Sequence, residues 1–91
     1  MKISNLNEFK RNSSLVIRKI EGSFFFLVGQ DAFEANEIGA IIVNLAGRDM
    51  SIEDLHLKIS RKYSFNDLEQ IRDDVNEYLE FLTNEGILLY E

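Results

Sequence analysis

GSFFFLVGQDAFEANEIGAIIVNLAG, residues 22–47, changes its hydrophobic period once, and that change decides the fold. Up to Ala35 the apolar side chains come in short runs separated by glycine-containing turns. Ser23 to Val28 is dense in aromatics that suit a pleated surface, and Gly29-Gln30-Asp31 turns the chain into the short run Ala32–Ala35. From Asn36 the period becomes 3.6. Ile38, Ile41, Ile42 and Leu45 fall on one face of a helix that Asn36 caps and Gly47 ends.

Working outward, Leu15 to Ile20 reads as a further strand, joined to the next by Glu21-Gly22-Ser23, whose glycine can take positive φ. Residues 15–35 are therefore predicted as a three-stranded β-meander. Residues 1–13 are polar, with only scattered apolar side chains such as Leu6 and Phe9, and read as a flexible N-terminal arm. Downstream, Ser51 with Asp54 has capping-box spacing and opens a second helix with Ile52, Leu55, Ile59 and Tyr63 on its apolar face. A third helix starts between Ser64 and Asn66, and both Ser64 with Asp67 and Asn66 with Glu69 have cap spacing. Its core stripe is Leu68, Ile71, Val75, Tyr78, Leu79 and Leu82, and Gly86 is a left-handed stop. Three helices thus fill residues 36–86, and Ile87–Tyr90 is an apolar tail expected to lie against the sheet. The expected architecture is a single α+β domain over residues 1–91, winged helix-turn-helix-like, with a three-stranded antiparallel sheet followed by three helices (βββααα).

Composition narrows the function. The 91 residues contain no Cys, which removes disulfides, thiolate metal sites and a cysteine nucleophile, and a single His, which disfavours a histidine-based triad or zinc site. No metal and no cofactor are expected. No apolar run approaches the roughly 18 residues of a membrane span, and no signal peptide is visible, so a cytoplasmic protein without membrane contact is expected. Paired carboxylates such as Asp73-Asp74 and Glu53-Asp54 are helix neighbours about 100° apart and do not converge on a substrate. Neither a phosphate loop nor a nucleophile–base pair is present. The reading is not an enzyme.

The net charge of −6 is uneven. Residues 1–30 carry five basic and two acidic side chains, whereas residues 66–91 carry one basic and eight acidic. A DNA reader needs basic and amide side chains on a recognition helix, and the third helix offers Arg72 among a crowd of acids. Nucleic acid is not an expected partner. A winged-helix DNA-binding transcription regulator, resting on architecture and on Lys58, Arg61 and Lys62, is the alternative. A protein–protein adaptor that pairs its open edge with another sheet, or with itself, is a third reading.

Two features favour a peptide. The run Ala32–Ala35 ends the meander and leaves an open edge, to which an extended peptide can add as a strand. On the third helix, at about 100° per residue, Phe81 lies off the core stripe beside the acids Asp74 and Glu85, and with Tyr78 it forms an apolar flank bordered by those acids. Such a flank can seat an apolar anchor while its carboxylates hold a basic residue. A wider core that covers Phe81 is the competing explanation.

The residues also resemble a known family. Gly22 to Leu27, then Ala35-Asn36-Glu37-Ile38-Gly39-Ala40 through Gly47, is similar to the PqqD-like family. Ser51 to Tyr63 fits its second helix, and Asp74-Val75-Asn76-Glu77-Tyr78-Leu79-Glu80-Phe81-Leu82 with Gly86-Ile87-Leu88 fits its ending. The order and spacing over roughly residues 15–89 carry the resemblance. Two positions depart from it: Ala35 stands where the family often has Leu, and Val43 where it often has an aromatic. The resemblance implies a RiPP recognition element, a discrete domain that binds the leader of a ribosomally synthesised, post-translationally modified precursor peptide. The leader would add to the third strand of the meander through Phe33, Glu34 and Ala35. It would also meet the third helix at Asp74, Tyr78, Phe81, Arg72 and Glu85. The implied partners are the precursor leader peptide and a separate modifying enzyme or leader peptidase, for a lasso-peptide, radical-SAM-modified or PQQ-type product. The chain itself would be a peptide chaperone, a monomer or weak homodimer.

Overall fold

The computed structural model describes residues 3–63 and 67–90. After a 3-10 turn, Leu6–Glu8, the chain forms strands β1 (Phe9–Arg11), β2 (Val16–Ile20), β3 (Ser23–Val28) and β4 (Asp31–Ala35). Helices α1 (Glu37–Leu45), α2 (Ile52–Tyr63) and α3 (Leu68–Asn84) follow, and β5 (Leu88–Tyr90) closes the chain. The expected α+β order is present, with β2, β3 and β4 as the antiparallel meander and three helices after it.

Turn chemistry sets the meander's register. Gly22 and Gly29 adopt positive φ at the two hairpin turns. Arg18 pairs with Phe25 and Phe25 with Glu34, while Ile17 pairs with Phe26 and Phe26 with Phe33. Cross-strand partners share a face. Ile17, Phe26 and Phe33 therefore turn inward, where Phe26 is completely buried. Arg18, Phe25 and Glu34 turn outward. The sheet order β2-β3-β4 leaves β4 at an edge.

The helices bury the stripes that their period dictates. Asn36 caps α1 by accepting a hydrogen bond from the Gly39 N–H, and Asp67 caps α3 by accepting one from the Gln70 N–H. Ser64 and Asn66, the other cap candidates for α3, lie outside the described residues. Ile71, Val75, Leu79 and Leu82 of α3 meet Leu55 and Ile59 of α2 and Ile42 and Val43 of α1 in one core. Two stripe assignments shift: Leu68, in the first turn of α3, is exposed, and Val43 joins the buried face of α1. No helix among the described residues is long and apolar enough to cross a membrane.

The N-terminal segment differs most from expectation. From residue 3 onward it is pinned rather than a flexible arm. Leu6 and Phe9 are fully buried, and the backbone of Ser4 and Leu6 bonds to Gly47, Met50 and Ile52 in and around the α1–α2 connection. The Asn5 side chain accepts from the N–H groups of Asn7 and Met50, and Glu8 accepts from those of Ser4 and Asn5. Leu6 and Phe9, with Ile3 packed part-buried on the same core, anchor the segment while these polar groups satisfy its backbone. The tail also has a different place. It does not lie against the meander but pairs with β1, Phe9 opposite Tyr90, as a separate two-stranded sheet.

Candidate peptide-binding site

The edge strand β4 and the helix α3 meet through two rings. Phe33 points inward from β4 and packs edge-to-face on Phe81 of α3, with centroids 5.8 Å apart and planes at 85°. Phe81 still exposes 37% of its surface. With Tyr78 and Glu77 it lines a hollow of about 220 Å³. Apolar surface left beside an unpaired strand edge is the arrangement a strand-adding ligand requires.

Tyr78 packs closely over Gly39, where a larger residue would make the ring give way by a few tenths of an ångström. A Cβ on Gly39 would sit 3.2 Å from Tyr78 Cε1 and 3.4 Å from the Ala35 Cβ. The missing side chain lets the ring lie across the first turn of α1. Burial pushes the Tyr78 phenol above its ordinary pKa; a hydrogen bond to the Asn36 backbone opposes this and the nearby Asp74 charge reinforces it. Tyr78 is therefore a neutral phenol at physiological pH.

Beyond the end of β4 the surface continues as two shallow hollows. One, about 550 Å³, is lined by Gly22, Ser23, Phe24 and the stretch Glu34–Glu37. The other, about 320 Å³, lies between Asn36–Ile38 and Tyr63. There the Tyr63 hydroxyl donates to Glu37 Oε2 at 2.7 Å. Burial first, then that bond and its charge, push the Tyr63 phenol up to about 12. This contact ties the end of α2 to the start of α1.

The residues expected from sequence separate into groups. Phe33, Tyr78 and Phe81 come together. Asp74, partly buried, lies one turn before Tyr78 and accepts a hydrogen bond from Gln70 Nε2 at 2.9 Å. Glu85 is exposed one turn beyond Phe81, to whose carbonyl its N–H donates. Ala35 faces inward beside Gly39, and Glu34 faces outward. Arg72 is not in this group. It stands about 180° around α3 from Phe81 and donates from Nη2 to Glu53 Oε2 of α2 at 2.8 Å. Sequence reasoning missed Gly39 and Glu77. An isolated glycine inside a helical pattern was the available signal for the first; for the second there was none beyond its place one residue before Tyr78.

Elsewhere, Lys58, Arg61 and Lys62 line a separate groove of about 580 Å³ with Ile41, Asp54 and Leu57. His56 is buried under α2, with neither ring nitrogen hydrogen-bonded.

Comparison with known proteins identifies the family. The family model for PqqD, described as coenzyme PQQ synthesis protein D, matches residues 18–88. The chain belongs to the PqqD family. That stretch runs from within β2 through β3, β4 and all three helices to the start of β5, so every residue of the β4–α3 site lies within it. No curated protein and no solved structure matches the chain significantly. PqqD membership supports a role in PQQ or other RiPP biosynthesis, and PqqD-type proteins are non-catalytic accessory proteins. The DNA-binding alternative is not supported. Its three cations share their groove with Asp54, and α3 presents acids.

Proposed function

We propose that this PqqD-family chain binds the leader of a ribosomally synthesised precursor peptide as an additional antiparallel strand on β4. It then presents the peptide to a separate modifying enzyme or leader peptidase. The observation that carries this reading is the exposed Phe81–Tyr78 surface beside the open edge of β4. Backbone pairing along residues 31–35 supplies register and much of the affinity, and the side chains facing α3 select the leader. An apolar leader side chain fits the hollow between Tyr78 and Phe81, and Asp74 and Glu77 border it with charge that favours a neighbouring Lys or Arg.

The mechanism needs no chemistry from this chain. Holding the leader raises the effective concentration of the attached core peptide at the enzyme that modifies it. Fluorescence polarisation with a labelled cognate leader peptide tests the proposal. Saturable binding at micromolar peptide is expected. Its absence sinks the reading.

A further inference from the structure

The β2-β3-β4 sheet has a second face that the core does not use. Val16 and Ile20 of β2, Phe25 and Leu27 of β3 and Ala32 of β4 all point away from the helices, as the strand register requires. Val16 is 45% and Ile20 52% exposed, and neither Phe25 nor Leu27 packs against the buried cluster. Charge on this face is ordered. Arg18, Phe25 and Glu34 form one cross-strand row, with opposite charges on the two outer strands and the aromatic ring between them.

We propose that this face docks a second copy of the chain, packed sheet to sheet about a two-fold axis that runs along β3. A two-fold interface places the same patch on both sides, so the patch must complement itself. An axis along β3 sets β2 over β4 of the second copy. Arg18 then opposes Glu34 of that copy, twice, and Phe25 meets its own equivalent. An axis across the strands would instead stack Arg18 on Arg18 and Glu34 on Glu34, which like-charge repulsion disfavours. The row therefore selects the orientation, and the apolar side chains around it fill the space of roughly 10 Å between packed sheets.

Three short strands cover less than the roughly 1,200 Å² of a stable interface, so the dimer is a weak one that forms at high micromolar concentration. Packing through the face leaves the edge of β4 unpaired. The interaction is thus independent of leader binding and is measured without peptide.

Sedimentation velocity on the full chain, from about 10 μM to about 1 mM, reads it in the range expected for small interfaces. Association at the upper end, abolished by Ile20→Asp, is expected. Arg18→Glu alone and Glu34→Arg alone each weaken association at least about fivefold, and combining them restores it to within about twofold, because the charge row is reversed but still self-complementary. All three positions in the test are solvent-facing, and thermal melts check that each variant folds. A monomer at 1 mM overturns the proposal, as does a dimer indifferent to Ile20→Asp or a double variant that fails to recover.

Discussion

Two edge-to-face aromatic pairs divide this molecule. Phe9 meets Tyr90 across the β1–β5 ribbon at 5.2 Å and 65°, and Phe33 meets Phe81 between β4 and α3 at 5.8 Å and 85°. The ring geometry is nearly the same, but the surroundings are not. Phe9 is 1% exposed and Phe81 37%. Three-residue strands suffice for the ribbon because its inward side chains, Phe9 and Leu88, are entirely inside. The longer meander holds its ring pair beside an edge with no strand on it. Phe9 closes the core from its strand, whereas neither Phe33 nor Phe81 is fully buried. The contrast shows that ring contacts alone do not reveal a residue's role, and that the burial of each ring does: Phe9 is inside although its partner Tyr90 is 44% exposed.

The largest expected effect breaks the first pair. Phe9→Ala empties a fully buried site and should destabilise the fold by about 3–5 kcal/mol. In a domain of this size that lowers the melting temperature by roughly 15 °C or more, read by circular dichroism. Wild-type-like melting would mean that the N-terminal segment is the loose arm its composition suggests. Phe81→Ala provides the counterpart. Part of that ring already faces water, so the melting temperature should fall by only a few degrees, roughly 1 kcal/mol. Leader affinity should drop at least about tenfold, which is about 1.4 kcal/mol of binding. Should Phe81→Ala unfold the protein as Phe9→Ala does, the two pairs serve the same purpose and the peptide site lies elsewhere.

A smaller effect concerns the buried side of the molecule. Burial lowers the His56 pKa below its usual 6.5, with Glu53 at 3.9 Å partly opposing this and Arg72 reinforcing it. The unfolded chain therefore takes up the proton first as pH falls. Stability is fully present above about pH 6.5 and declines as pH drops through that value. His56→Leu should flatten the loss of melting temperature between pH 7.5 and pH 5.5; an unchanged slope would assign it to other groups.

How much of this was legible follows from range. The period change at Asn36 and the glycine turns are local signals, and the meander and three helices follow from them. The Asn5–Glu8 cap was local too, but its composition resembled a polar arm because Leu6 is held by the α1–α2 connection about forty residues later and Phe9 by β5 about eighty residues later. The ribbon is therefore a long-range pairing with no short-range mark. At the candidate site the helical angle placed Phe81 and Tyr78 correctly together. It carried no information on whether Arg72, on the opposite flank, had a partner on α2.

Arg72 supplies the smallest and most discriminating test. The family resemblance assigns it to the leader site, yet its guanidinium lies on the far side of the helix, against Glu53. Both partners are substantially exposed, at 48% and 66% of their side chains, so solvent screens the pair and its loss costs at most about 1 kcal/mol. Arg72→Gln should leave leader affinity within about twofold and shift the melting temperature by no more than a few degrees. The same substitution removes a cation that lowers the His56 pKa, so the acid-side loss of stability should become slightly shallower. A large loss of leader binding in Arg72→Gln would place the peptide across α3 toward α2. It would also make the open β4 edge, with its half-exposed ring pair, a bystander.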